Sequence, residues 1–293
     1  MRVLITGSEG FTGRYVCDEF SKANWEVWRA GLSDQPGSSR YLKINLLEPS
    51  SLIAINQVVR PEVVVHLAAE AFVGEGNPDI FYQVNLLGTR HLLDALCQAV
   101  EPPKCTILAS SANVYGNSNI GLLSEIDPVN PANDYAVSKL AMEYLARTYM
   151  DKLGIIIVRP FNYTGVGQSE RFLIPKIVAH FRKKSPIIEL GNLDIARDFS
   201  DVRDIAAYYR GLAEQRPINE TMNFCSGTAV SLEDCLSIAQ EITGHDIEIK
   251  VNPDFVRENE VKFLRGDRSR LEGLIDIRAP RPIHTTLSWM LSS

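Results

Sequence analysis

Arg2-Val3-Leu4-Ile5-Thr6-Gly7-Ser8-Glu9-Gly10-Phe11-Thr12-Gly13 decides how this chain is read. An apolar run of strand character ends in glycines at positions 7, 10 and 13, and residues 12–23 follow with helical character. Glycine permits a tight turn and lets backbone N–H groups approach a pyrophosphate at the start of a helix. The spacing is G-x-x-G-x-x-G, in the strand–turn–helix setting that gives such a motif its meaning. Gly7, Gly10, Phe11, Thr12 and Gly13 are therefore candidate cofactor contacts.

Outward from this turn, short apolar runs alternate with helix-like stretches. Strands are expected at 2–6, 26–30, 41–44 (weakly), 63–67, 105–109 and 155–159, with helices at 85–99 and 135–153 between them. Near-continuous Val/Ile/Leu strands separated by helices predict a parallel sheet covered on both faces. The expected fold class is α/β: a doubly wound (Rossmann) sheet with a smaller C-terminal substrate-binding α/β lobe. After Pro160 the rhythm changes to helices at 171–184, 202–214 and 231–243, with short strands at 186–190 and 221–225. The division expected is an NADP(H)-binding domain over 1–162, rejoined by 200–243, and a substrate lobe made mainly by 163–293.

Composition narrows the class. The chain has 293 residues, 45% hydrophobic and 23% charged, with a net charge of −6, as in a soluble globular protein. The acidic balance argues against nucleic acid as a partner. No apolar run is long enough to span a membrane, and no secretory signal precedes the first strand, so a cytoplasmic location is expected. The five cysteines are scattered with no Cys-x-x-Cys pair, which fits a reducing compartment and no metal site.

Tyr135-Ala136-Val137-Ser138-Lys139 places a phenol and an ammonium one helical turn apart on one face. A nearby ammonium favours the phenolate, so Lys139 is expected to draw the Tyr135 pKa down. Such a pair moves a proton on or off an oxygen, as hydride chemistry at a carbonyl requires. At the end of the second strand, Val27-Trp28-Arg29-Ala30-Gly31 carries no acid before Asp34. An acid there would hold the ribose 2′-hydroxyl of NAD. Arg29 and Arg40 are candidate phosphate partners instead, which favours NADP(H), with NAD(H) as the alternative.

With the glycine turn, Ser111 and Tyr135/Lys139 in one chain, the sequence resembles the extended short-chain dehydrogenase/reductases that act on nucleotide sugars. His66-Leu67-Ala68-Ala69, Asn85-Leu86-Leu87-Gly88-Thr89, Ser110-Ser111-Ala112-Asn113-Val114-Tyr115-Gly116 and Arg159-Pro160-Phe161-Asn162 resemble further motifs of that family. The resemblance implies that Ser111, Tyr135 and Lys139 are catalytic. It implies cofactor contacts at Asn45, Leu46, Leu67, Ala68, Ala69, Asn85, Ser110, Pro160 and Asn162 as well. Asn45 stands where the family usually has Asp. Tyr115 reads as a wall of the substrate pocket.

The second half is similar to GDP-mannose 4,6-dehydratases and GDP-4-keto-6-deoxymannose reductases. Phe161 to Ser169, Gly191-Asn192-Leu193-Asp194, Arg197-Asp198-Phe199 and Asn223-Phe224-Cys225-Ser226-Gly227 carry this likeness, as does Arg257-Glu258-Asn259-Glu260. It implies substrate contacts at Ala112, Asn113, Asn162, Asn192, Arg197, Arg257 and Glu260, beside Ser111 and Tyr135. Tyr163 departs from the usual His, and Ile275-Asp276-Ile277-Arg278 stands in place of a Gly-Trp-x-Pro.

Dehydratases need carboxylates at the position of Ala112-Asn113 to remove water, and neither residue can supply a proton. The expected reaction is therefore NADPH-dependent reduction of a 4-keto sugar linked to a nucleotide, in all expectation GDP. The alternatives are a 4-epimerase with tightly bound NAD and a non-catalytic dinucleotide sensor. Apolar stripes on the helices at 86–99 and 135–153 match the pair that forms a homodimer in this family.

Overall fold

The computed structural model describes residues 1–35, 37–71, 77–118, 121–256 and 262–293. The first apolar run forms β1 (Arg2–Thr6), and the glycine turn opens α1 (Phe11–Lys22). Then follow β2 (Glu26–Gly31), β3 (Tyr41–Lys43), α2 (Pro49–Ala54) and β4 (Val63–His66). α3 (Asp79–Phe81) passes through a π-helical stretch, Tyr82–Gly88, into α4 (Thr89–Cys97). β5 (Cys105–Ala109), α5 (Asp134–Arg147) and β6 (Ile155–Pro160) complete the first half. The second half comprises β7 (Asn162–Thr164), α6 (Leu173–Arg182), β8 (Ile187–Leu190), β9 (Ala196–Asp201), α7 (Val202–Gln215), β10 (Glu220–Phe224) and β11 (Ala229–Ser231). It ends with α8 (Leu232–Thr243), β12 (Glu248–Val251), β13 (Phe263–Leu264), α9 (Ser269–Leu274) and α10 (Ile283–Ser292).

Seven strands form one sheet in the order β10-β6-β5-β4-β1-β2-β3, every pair parallel. Alternation of side chains across the strands sorts the core into two layers. Val3, Ile5, Val63, Val65, Ile107, Ile156 and Val158 face α1 and α7. Leu4, Val64, Leu108, Ile155 and Ile157 face α2, α4 and α5. Both faces are covered, which is why the strands read as unbroken apolar runs. The strand order reverses between β1 and β4, and ligands of such sheets bind beyond the carboxyl ends at that point.

The rest of the chain builds a third apolar cluster from α6, α8, α10, β8 and β9, including Ile177, Phe181, Phe199, Leu236 and Leu287. β11, β13 and β7 pair with β9, and β12 pairs with β8. β9 has the sequence Ala-Arg-Asp-Phe-Ser-Asp and lacks apolar alternation, so the sequence predicts no strand there. Its buried acids are satisfied by hydrogen bonds instead: Ser226 and Gly227 donate to Asp198, and Thr286 donates to Asp201. The helix expected over 135–153 ends at Arg147. Beyond it the N–H groups of Thr148 and Tyr149 bond three residues back, tightening the chain out of the helix.

His66 ends β4 in the core. Its Nδ1 lies 2.7 Å from Thr6 Oγ1 and its Nε2 3.0 Å from Thr89 Oγ1. Burial, helped by the Lys139 charge, pushes its pKa down to about 3. A histidine in the unfolded chain titrates near 6.5, so between those values the unfolded chain binds the extra proton. The contribution of His66 is therefore complete above about pH 6.5 and is lost as pH falls towards 3, with a slope of up to about 1.4 kcal/mol per pH unit. Urea unfolding at pH 5 and pH 7 tests this: His66→Gln should flatten the dependence, and an unchanged slope contradicts it.

Candidate active site

The carboxyl ends of β1, β4 and β5 and the first turns of α1 and α5 converge on one region. Ser111 follows β5, is nearly buried, and caps the 3-10 turn Ala112–Tyr115 by accepting the Asn113 N–H at 3.1 Å. Asn133 caps α5 by accepting the Ala136 N–H at 2.9 Å, and so sets Tyr135 in the first helical turn. The Ser111 side chain lies near enough to the Tyr135 phenol to draw its pKa down. Phe81 presses edge-on against the Tyr135 ring, with centroids 5.9 Å apart. One turn on, the buried Lys139 donates from Nζ to the Ala109 carbonyl at 2.8 Å. The structure thus brings Ser111, Tyr135 and Lys139 together from β5 and α5.

The expectation that Lys139 lowers the tyrosine pKa is corrected. Burial pushes Tyr135 up to about 12, and the nearby Ser111 side chain offsets this only in part. Burial also pushes Lys139 down to about 8, against the pull of Glu143. At neutral pH the phenol keeps its proton and the ammonium keeps its charge. A neutral phenol in that setting is equipped to give a proton to an oxyanion.

The glycine turn lies across the end of β4. Gly7 has φ +67°, and a Cβ there would come within 2.6 Å of the Ala68 N. A Cβ on Gly13 would overlap the Gly7 carbonyl. Gly10 caps α1 with no side-chain hydrogen bond, and the first turn holds no acid. Backbone N–H groups at an uncapped, acid-free helix start fit a pyrophosphate. Leu67, Ala68 and Ala69 run alongside, and Ala68 donates to Thr6 Oγ1 at 3.3 Å. Thr12 Oγ1 lies 2.8 Å from the hydroxyl of Tyr163, whose ring stacks on Phe11 at 6.1 Å. The departure at Tyr163 thus fastens β7 to the start of α1.

Several expected cofactor contacts turn their side chains elsewhere. Asn85 is buried, accepts the Glu70 N–H, and donates to the Glu70 carbonyl and Ser138 Oγ. It positions the wall at 67–70 against α5. Ser110 donates to Glu143 at 2.6 Å, behind the site. Asn45 accepts the Leu47 N–H and donates to Glu48, while Leu46 is buried against Gly88. Arg29 is exposed on β2, with Nη2 3.5 Å from Ser38 Oγ. Arg40 is exposed as well, and its carbonyl accepts the Arg29 N–H.

On the substrate side, Ala112 is buried, Asn113 is exposed, and Pro160 and Asn162 sit where β6 passes into β7. Asn192 lies between β8 and β9, and Arg197 is buried on β9 with Nη1 bonded to the Ala196 carbonyl. Arg257 and Glu260 lie outside the described residues. A cavity of ≈ 440 Å³ between 165–168, α6 and Met290 includes none of Ser111, Tyr135 and Lys139. Among the described residues no His/Cys/Asp/Glu group could hold a metal ion, and no helix is long and apolar enough to cross a membrane.

Beneath the site lies a network the sequence reading missed. Glu143 and Arg159 form a bidentate pair at 2.9 and 2.7 Å, with side chains 0% and 4% exposed. Arg159 also donates to the Tyr115 hydroxyl at 3.0 Å, which donates to Asn223 at 2.7 Å. Tyr115 is therefore a buried anchor, not a pocket wall, because both bonds draw its hydroxyl into the core. Glu143 lies on the helix face of Tyr135 and Lys139, beside the buried Met142 and Ala146. An acid on an inward helical face was the signal available.

Fold and site define a doubly wound dinucleotide-type enzyme with a Ser-Tyr-Lys centre. A family model described as GDP-mannose 4,6 dehydratase matches residues 4–286, and the chain belongs to that family, within the extended short-chain dehydrogenase/reductases. It is 37% identical over 274 residues to a GDP-6-deoxy-D-talose 4-dehydrogenase of Aggregatibacter actinomycetemcomitans, covering 92% of this chain and 90% of that one. It is 31% identical over 305 residues to a GDP-6-deoxy-D-mannose reductase of Pseudomonas aeruginosa, covering 99% and 96%. The solved structure of RMD from Pseudomonas aeruginosa complexed with NADPH superposes with a TM-score of 0.87 at 29% identity, covering 100% and 98%.

Glu143→Ala leaves the Arg159 guanidinium buried without its partner. Unfolding free energy should fall by about 3–5 kcal/mol. Urea denaturation measures it, and a loss under about 1 kcal/mol contradicts the role given to the pair.

Proposed function

We propose that the protein reduces the C4 keto group of a nucleotide-linked 4-keto-6-deoxy sugar with NADPH, GDP-4-keto-6-deoxy-D-mannose going to GDP-D-rhamnose or its C4 epimer. It is an NAD(P)-dependent nucleotide-sugar oxidoreductase; the preferred carrier in this reading is NADP(H), with NAD(H) as the alternative. The observation that carries the reading is the convergence of Ser111, Tyr135 and Lys139 at the end of β5, with Lys139 Nζ on the Ala109 carbonyl, beside a turn without carboxylates at Ala112 and Asn113. The two named relatives point the same way, since 6-deoxytalose and 6-deoxymannose differ only at C4.

A dinucleotide held at the glycine turn would supply the hydride for the sugar C4. Ser111 donates to the C4 oxygen and holds it against the phenol. Tyr135 gives that oxygen its proton, and its raised pKa keeps the proton available at neutral pH. Lys139 stabilises the phenolate left behind and would hold the nicotinamide ribose of a bound dinucleotide. Gly7, Gly10 and Gly13 admit the pyrophosphate to the start of α1. Asn162, Asn192 and Arg197, with Arg257 and Glu260, hold the sugar and its diphosphate, for which guanidinium groups are suited. In this reading 1–162 with the returning α7 and β10 carries the cofactor, and the rest of 163–293 mainly carries the substrate; α8, expected to return with them, packs instead in the third cluster against α6 and α10. Exposed Leu87, Val137 and Tyr144 on the α4 and α5 side support a homodimer.

The test is incubation with GDP-4-keto-6-deoxymannose and its CDP, dTDP and UDP analogues, with NADPH or NADH. Cofactor absorbance should fall with the GDP sugar, and Tyr135→Phe should slow turnover about 100- to 10,000-fold. Turnover confined to another nucleotide overturns the GDP assignment. Protein purified with stoichiometric NAD that consumes no NADPH is a 4-epimerase instead.

A further inference from the structure

Gly31 ends β2, where an acid would hold the ribose 2′-hydroxyl in a chain built for NAD. The sequence places no acid at that end of the strand, yet the space is filled by one. A Cβ on Gly31 would overlap the Glu9 carboxylate and lie 2.8 Å from the Tyr41 hydroxyl. Glu9 belongs to the glycine turn, between Gly7 and Gly10, and reaches across to the end of β2. Three donors hold it there: Gln35 Nε2 at 2.9 Å, the Tyr41 hydroxyl at 3.1 Å and, more loosely, the Ser33 N–H at 3.5 Å. The glycine at 31 makes room for a carboxylate delivered by the neighbouring loop.

We infer that Glu9 discriminates between the two dinucleotides: its carboxylate accepts a hydrogen bond from the adenosine ribose 2′-hydroxyl and repels a 2′-phosphate. The inference rests on the dinucleotide reading above and, within it, moves the balance from NADP(H) towards NAD(H), the alternative carrier named there. Arg29 offers an opposing charge from the same strand. Its side chain is exposed and reaches towards Ser38, whereas Glu9 is fixed on three partners. A carboxylate and a phosphate dianion a few ångströms apart in partly solvated surroundings repel by enough to shift binding at least about tenfold.

Titration of NADH and NADPH into the wild-type protein and Glu9→Gln, followed by nicotinamide fluorescence with no sugar present, tests this. The amide keeps a side chain of the same length at the position the three donors hold. In Glu9→Gln, the NADPH Kd should fall at least about tenfold relative to the NADH Kd, and Glu9→Lys should move the ratio further the same way. A ratio shifted less than about twofold by both substitutions overturns the inference and leaves the dinucleotide site intact. Failure of all three proteins to bind either dinucleotide overturns the dinucleotide reading itself, and the inference with it.

Discussion

The buried ion pair between Glu143 on α5 and Arg159 on β6 is the constraint on which the site depends. α5 carries Tyr135 and Lys139; β5 leads into Ser110 and Ser111; β10 carries Asn223. Glu143 touches Ser110 and Arg159, and Arg159 reaches on through Tyr115 to Asn223. A helix held on a sheet by apolar contacts alone can roll by a few degrees at little cost. A bidentate guanidinium–carboxylate contact allows one roll, because both oxygens must meet both nitrogens. That roll brings the Lys139 ammonium onto the Ala109 carbonyl and the Tyr135 phenol onto Ser111. Burying both charges costs most of what their attraction returns, so the pair serves placement more than stability.

Protonation states follow from the same burial. His66 is held neutral, Tyr135 is held as the phenol, and Lys139 is brought close to neutrality without losing its charge at pH 7. A pocket that resists charge on the tyrosine suits a proton donor. In the proposed reduction the phenol begins protonated and the lysine cation meets the phenolate as it forms. The absence of a carboxylate at Ala112 and Asn113 is consistent with that single task.

Much of this was legible in the sequence, for physical reasons that differ by element. The strands of the large sheet are buried on both faces, so hydropathy alone exposed them, and the glycine turn was legible because backbone packing at Gly7 and Gly13 admits no side chain. β9 was invisible because two of its buried side chains are acids held by hydrogen bonds, which breaks the apolar alternation. The Tyr135 pKa was misjudged because spacing reveals a neighbouring charge but not the loss of solvent around the phenol. Asn85 and Ser110 lie in site motifs, yet their hydrogen bonds show them bracing the site from behind. Glu9 is not legible as this acid because the strand spacing points to the end of β2, while the carboxylate arrives from the turn beside it.

The central claim is that hydride reaches the sugar C4 and Tyr135 supplies the proton to its oxygen. Transfer of deuterium from NADPH labelled at the nicotinamide C4 measures this most directly, with the sugar product read by NMR. The account predicts one deuterium at the sugar C4 per cofactor oxidised when the transferred face carries the label. Deuterium at any other sugar carbon, or a converted sugar carrying no label with either face labelled, would contradict it.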